Sequence, residues 1–180
     1  MAGNMDNENN LSYEEFQTQK KYSEESSFKR GMEYAIRILS LRDYSIFKMK
    51  KKLSDRNINP EHTEEVINRL LELKYLREDE YTLMRIKQLL LKGYANSFIL
   101  QKLSQEQLIA DDHVINTLRE EQDMNLDKQL HMLIEKKLRS KNIPNDPEQK
   151  MKLKNKVISF LSSKGYNYDQ IKKALQEYIS

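Results

Sequence analysis

The chain has 180 residues, of which 38% are hydrophobic and 33% charged, with 4 Gly, 3 Pro and no Cys. This composition favours a helical protein with a strongly solvated surface, and it argues against a disulfide framework, thiolate chemistry and a Gly-rich all-β fold. Residues 1–27 carry a net charge of −4 and the remainder carries +7. An acidic segment therefore precedes a basic body, for which we expect polyanionic or acidic partners.

The segment 1–27 is rich in Asn, Glu and Ser and poor in aliphatic side chains. Such a segment buries too little apolar surface to offset the conformational entropy of ordering it, so we expect a disordered or loosely helical acidic tail. It lacks the basic-then-apolar pattern of a secretory signal. No apolar run approaches the ~18 residues of a membrane span, and we expect a cytoplasmic protein without membrane contact.

A short motif that ends in tyrosine occurs three times. Leu41-Arg42-Asp43-Tyr44 is repeated as Leu91-Lys92-Gly93-Tyr94 and, more loosely, as Ser163-Lys164-Gly165-Tyr166. Aliphatic residues match at four offsets from the tyrosines: Ile36, Ile86 and Ile158; Leu39, Leu89 and Leu161; Met49, Ile99 and Ile171; Leu53, Leu103 and Leu175. These offsets are typical of a helix before the tyrosine and another after it.

Each repeat is therefore predicted as a helix, a tight corner and a second helix. Tyr44, Tyr94 and Tyr166 mark the corners, where they could close the helix–helix contact or stack on nucleic-acid bases. Gly93 and Gly165 are predicted in the left-handed conformation that ends a helix.

The predicted helices follow one another from residue 28 onward. They cover about 28–39, 46–56 and a stretch opened by Asn59 and Pro60; then 78–92, 96–104 and a stretch capped by Asp111 or Asp112; then 126–140, 148–164 and 168–179. The start at Asn96 is predicted because Ala95 is a poor N-cap. Ile36, Leu71 and Leu83 are among the side chains expected to face inward. The sequence predicts an all-α fold of tandem three-helix repeats (28–74, 75–123 and 124–180) stacked into an elongated, curved array.

Residue patterns typical of catalysis or metal binding are absent from the sequence. His62, His113 and His131 have no partner at the four-residue spacing of a helical zinc site, and we interpret them as surface or cap-adjacent residues. A Gly-rich phosphate loop is also absent. We therefore expect a protein without a cofactor, a metal or an enzymatic activity.

Basic side chains are clustered along the chain, most densely on the second predicted helix and near residues 136–141 and 150–156. Such clusters are equally typical of ordinary solvated helix faces, and that alternative stays open for each of them. Three clusters on a repeated scaffold favour at least one contact with phosphates. The residues predicted to contact a partner or DNA are Lys48, Lys51, Lys52, Arg56, Lys92, Lys102, Lys136, Lys137 and Arg139.

Several of these stretches resemble a known family. Four stretches are similar to the motifs of the bacterial RecX family of recombinase regulators. They are residues 35–45 with Lys52-Leu53, Tyr75-Leu76 with the acids before Tyr81, and the two Lys-Gly-Tyr corners with the aliphatic residues that follow them. The resemblance covers about residues 28–179. Lys48-Met49, Lys74 and Arg77 depart from the family's usual Glu-Leu, Gly and Asp, and these departures make the first repeat more basic.

The resemblance implies a non-enzymatic protein of tandem three-helix repeats that lies in the groove of the RecA nucleoprotein filament. It further implies a regulator of homologous recombination and DNA repair that inhibits or remodels the filament's ATPase and strand exchange. The implied partners are the RecA filament and single-stranded DNA, with double-stranded DNA as a further candidate, and we expect a monomer. The alternative is a stand-alone helical DNA- or RNA-binding adaptor that needs no recombinase.

Overall fold

The computed structural model describes residues 27–139 and 141–179, so the predicted acidic tail lies, except for its last residue, outside the described residues. Every regular element in the described part is a helix, which confirms the all-α prediction. The chain divides into two compact units: unit 1 ends at Arg77 and unit 2 begins at Glu78. The repeat boundaries and the elongated, curved stacking stay predictions.

Nine helices occur in the described ranges. They are α1 (residues 27–39), α2 (Ile46–Ser54), α3 (Pro60–Glu72), α4 (Glu78–Leu91), α5 (Asn96–Gln105), α6 (Asp112–Glu121), α7 (Leu126–Leu138), α8 (Pro147–Ser162) and α9 (Tyr168–Gln176). In unit 1, α2 packs on α3. In unit 2, α4, α5 and α6 pack on one another, as do α7, α8 and α9.

Local capping chemistry sets several of these helix starts. The Asn167 side chain accepts from the Gln170 backbone N–H at 2.8 Å and the Gln170 side chain accepts from the Asn167 backbone N–H, so the two residues form a capping box. Ala95 has no capping oxygen, and α5 begins at Asn96 as the sequence indicates. Gly93 and Gly165 have φ angles of +74° and +90°, in the left-handed region predicted for both.

Each group of helices encloses its own apolar core. One core lies in unit 1 around Met49, Leu53 and Leu70, and unit 2 holds a core around Ile86 and Ile115 and another around Ile134, Val157 and Ile171. The Tyr44 and Tyr166 side chains are buried in these cores, whereas Tyr94 is only half-buried.

Three aliphatic side chains that were expected to face inward are exposed, so those predictions are wrong. They are Ile36, Leu71 and Leu83, and each follows a buried neighbour: Ala35, Leu70 or Thr82. Because adjacent helical residues point about 100° apart, only the neighbour that lies closer to the packing partner enters the core.

His62 is buried, which corrects its interpretation as a surface residue, although its backbone N–H does donate to the capping side chain of Asn59. Its Nδ1 atom has no hydrogen-bond partner among the described residues. Where the chain is described, no helix has both the length and the apolar character needed to cross a membrane.

Candidate functional site

The second and third tyrosine corners lie directly against each other inside unit 2. The Ala95 backbone N–H donates to the Lys164 carbonyl oxygen at 2.9 Å, and the Lys164 ammonium donates to the Lys92 carbonyl oxygen at 2.6 Å. A Cβ atom on Gly165 would lie only 2.6 Å from the Cβ of Phe98, so glycine permits this close approach. The contact brings together two lysines that are 72 residues apart in the sequence.

A groove of about 1020 Å³ opens where these corners meet α7. Its lining includes one carboxylate, Asp123, and five lysines: Lys92, Lys128, Lys136, Lys137 and Lys164. Lys128 lies 3.6 Å from Asp123, and the other four lysines have no carboxylate partner among the described residues. We call this feature the basic groove. Its unpaired ammonium groups create a positive potential that favours an anionic partner.

Aromatic rings hold two of these lysines in place. The Lys164 Nζ atom lies 4.3 Å from the ring centroid of Tyr94 and 5.4 Å from that of Phe160, and the Lys137 Nζ atom lies 4.5 Å from the Phe160 centroid. Cations at these distances are attracted to the negative face of a ring. The rings therefore favour the positions of these two ammonium groups in the groove.

The Tyr94 ring is also stacked on its other side. Phe98 lies parallel to it, with 4.4 Å between the centroids and 9° between the ring planes. Since Lys164 and Phe98 cannot occupy the same face, both faces of Tyr94 are covered. Lys102 in turn lies 5.2 Å from the Phe98 centroid, so it continues the row beyond the groove.

Electrostatic repulsion acts within the basic groove. Burial, followed by the charges of Lys136 and Lys92, lowers the pKa of the Lys164 ammonium. Neighbouring cations lower a lysine pKa because each disfavours the charged form of the other. A bound anion would relieve this repulsion, and its binding is favoured for that reason.

A buried arginine donates hydrogen bonds to two residues that line the groove, Tyr94 and Gln129. Arg119 is only 5% exposed, and it donates to the Tyr94 carbonyl oxygen at 2.7 Å, to Asn96 Oδ1 at 2.8 Å and to Gln129 Oε1 at 2.9 Å. These acceptors are neutral, and burial lowers the pKa of the guanidinium. Tyr166 lies close enough to donate to Gln129 at 3.5 Å, and burial raises the pKa of its hydroxyl to about 12.

Part of the groove lining is apolar and accessible, and we call this part the apolar floor. Leu91 and Met132 line it with side chains that are 69% and 68% exposed, and Leu133 and Met124 contribute half-buried surface. Unbranched, polarisable methionine side chains adapt to the shape of a partner. The basic groove thus combines charged walls with an apolar floor.

The structure brings together only some of the residues predicted to contact a partner. Lys92, Lys136 and Lys137 line the basic groove, and Lys102 lies beside it on Phe98, whereas Arg139 is exposed at the end of α7 outside the lining. The remaining four belong to unit 1: Lys48, Lys51, Lys52 and Arg56.

Sequence reasoning missed three residues of this site. Lys164 stands in the repeated Lys-Gly-Tyr motif, which could have indicated it by analogy with Lys92. Lys128 and Arg119 carry no distinguishing local signal, because their roles come from contacts between helices. Among the described residues, no group of three His, Asp or Glu side chains is placed to hold a metal ion.

Two family models match the chain. One describes the first three-helix domain of RecX and matches residues 32–70, and the other describes its third three-helix domain and matches residues 127–175. The regulatory protein RecX of Vibrio parahaemolyticus is 29% identical over 143 residues, which cover 79% of this chain and 88% of that protein. The RecX protein of Haemophilus influenzae is 25% identical over 138 residues, covering 76% and 87%.

Solved structures show the same fold. The crystal structure of RecX from Lactobacillus salivarius has a TM-score of 0.62 at 21% identity, covering 84% of this chain and 96% of that one. A second crystal structure of a regulatory protein RecX has a TM-score of 0.66 at 15% identity, covering 92% and 80%. The chain is thus similar in sequence and in fold to the RecX regulatory proteins, which are not enzymes.

Proposed function

We propose that this chain acts as a regulator of the RecX type, which binds the RecA nucleoprotein filament and inhibits or remodels its ATPase and strand-exchange activity. The chain would thereby regulate homologous recombination and DNA repair by stoichiometric binding. The observation that supports this most directly is the basic groove, where four lysines without a carboxylate partner among the described residues surround an apolar floor. A filament of protein on DNA offers both kinds of surface that such a groove accepts: anionic groups and apolar side chains.

A second basic surface in unit 1 supports the same proposal. Lys51 is exposed on α2, and Arg56, just beyond its end, lies over the ring of Tyr34 with 4.7 Å between the guanidinium carbon and the centroid. Lys50, on the same helix, is paired with Glu64 at 2.6 Å and is less available to a partner. We propose that Lys48, Lys51, Lys52 and Arg56 form an additional contact with the filament.

The test is the single-stranded-DNA-dependent ATPase of the cognate recombinase, titrated with this protein at a low and a high salt concentration. We expect inhibition near stoichiometric levels, and weaker inhibition at high salt because exposed charges are screened. The variant Lys92→Glu/Lys136→Glu should raise the half-inhibitory concentration by about tenfold or more, since it replaces two attractive charges with repulsive ones.

The matched control is Lys172→Glu/Lys173→Glu, which makes the same change of net charge on exposed positions of α9 outside the groove. This control should inhibit like the parent protein. Equal inhibition by the groove variant and the parent would remove the basic groove from the contact. No effect of the parent protein on the ATPase, together with tight binding to bare DNA, would favour the stand-alone nucleic-acid adaptor instead.

A further inference from the structure

We propose that the basic groove receives an acidic amphipathic helix of a protein partner rather than a strand of nucleic acid. The inference rests on the proposed function, because it concerns the same groove and identifies the kind of segment that enters it. Three features of unit 2 support it: the covered ring of Tyr94, the exposed apolar floor and the position of the lysines.

The Tyr94 ring beside the groove has no open face on which a base could stack. Tyr94 lies between Phe98 at 4.4 Å and the Lys164 ammonium at 4.3 Å, and Phe160 lies near two ammonium groups. Proteins that bind single strands without strong sequence preference present uncovered aromatic faces to successive bases. Here Tyr94 is covered on both faces and Phe160 contacts two lysines, which is a different arrangement from an uncovered stacking surface.

The apolar floor indicates a partner with apolar anchors. Leu91 and Met132 line the groove and are mostly exposed, and Leu133 and Met124 line it as well. A phosphate backbone gains little from covering such side chains. An amphipathic helix in a groove buries residues at spacings of three and four along one face, and flexible methionines accommodate them.

The lysines complete the recognition. Lys136 and Lys137, on the last turn of α7, and Lys92 and Lys164, at the joined corners, all line the groove that contains the apolar floor. Carboxylates on the flanks of a bound helix would meet these ammonium groups while its apolar face covers Leu91 and Met132. An acidic helix with an apolar stripe thus matches the groove in charge and in polarity.

The test uses the full chain and two fluorescently labelled probes. One is a helical peptide of about 18 residues with leucines on one face and glutamates elsewhere, and the other is an oligothymidylate of about 15 nucleotides. Fluorescence anisotropy measures binding of each probe. We expect the peptide to bind and a version with its leucines replaced by serine to bind much more weakly.

Variants then separate apolar from electrostatic contributions. Leu91→Ser/Met132→Ser should weaken peptide binding by about tenfold or more, because two apolar contacts are lost, and should leave any oligonucleotide binding unchanged. Ile109→Ser is the matched control, since Ile109 is 94% exposed outside the groove. In a methyl spectrum of the labelled methionines, Met132 should shift on peptide addition, while the exposed Met151 of α8 should not.

The outcomes distinguish this inference from the proposed function. Oligonucleotide binding that depends on Lys136, with no peptide binding, would overturn the inference and assign the groove to nucleic acid. Peptide binding that is insensitive to the Leu91 and Met132 substitutions, or no binding of either probe, would also overturn it. Each of these results leaves the ATPase titration of the recombinase as an independent test of the proposed function.

Discussion

Replacing the buried Arg119 by methionine should destabilise unit 2. The substitution removes the donors to Tyr94 O, Asn96 Oδ1 and Gln129 Oε1, which now lie 2.7–2.9 Å from the guanidinium nitrogens. The Asn96 and Gln129 side chains are half-buried, so water can partly replace the arginine there at a cost of roughly 1 kcal/mol each. Leaving the Tyr94 carbonyl oxygen, which faces the buried guanidinium, without its donor should cost about 2 kcal/mol.

Part of this loss is offset. Methionine avoids the desolvation of an unneutralised cation and buries apolar surface in its place, which should recover about 1–2 kcal/mol. We therefore expect Arg119→Met to lower the free energy of unfolding by about 2–3 kcal/mol. The measurement is urea unfolding followed by circular dichroism, combined with amide hydrogen exchange to locate the effect.

The control is Arg69→Met, which removes an exposed ion pair with Glu72 and should change the free energy of unfolding by less than about 0.5 kcal/mol. Hydrogen exchange in Arg119→Met should accelerate in unit 2, which contains the whole network, and remain unchanged in unit 1. A loss of stability as small as that of the control would refute the argument, because it would show that water satisfies all three acceptors or that desolvation of the arginine cancels its hydrogen bonds.

Three further results are expected. Burial raises the pKa of Tyr166 to about 12, so the folded protein keeps this hydroxyl protonated at pH values where an unfolded tyrosine already ionises. The resulting contribution to stability is fully present below pH 10 and is lost as the pH rises toward 12. Between pH 9 and 11.5 the parent protein should lose about 2 kcal/mol more unfolding free energy in urea titrations than Tyr166→Phe. Gly165→Ala should lower the thermal midpoint of unfolding more than Gly93→Ala, although both glycines have positive φ. A Cβ at position 165 would lie 3.1 Å from the Phe98 backbone nitrogen, which cannot move easily. A Cβ at position 93 would lie 3.0 Å from a methyl group of the flexible Leu133 side chain. Equal midpoints would contradict the close-approach argument. The third result concerns the basic cluster of unit 1, which consists of Lys48, Lys51, Lys52 and Arg56. Charge reversal of these four residues should weaken filament binding and flatten its salt dependence. Unchanged binding would remove the cluster from the contact surface.

Local sequence determined the helices, their caps and the three corners. The 3.6-residue periodicity specifies which side of a helix is apolar, and a capping side chain such as Asn167 acts within one turn, so neither depends on distant residues. The left-handed Gly93 and Gly165 were predictable for the same reason. Three lysines of the basic groove were also among the predicted contact residues: Lys92, Lys136 and Lys137.

Only the tertiary structure decided what these elements pack against. Periodicity does not identify the partner of an apolar face, which is why Ile36 and Leu83 were assigned inward although their neighbours take the core. The contact between the second and third corners joins residues 72 positions apart, and it creates the groove by placing Lys164 beside Lys92. Arg119 looks in the sequence like any surface arginine; it becomes a buried support because helix packing surrounds it with the neutral acceptors that satisfy its hydrogen bonds.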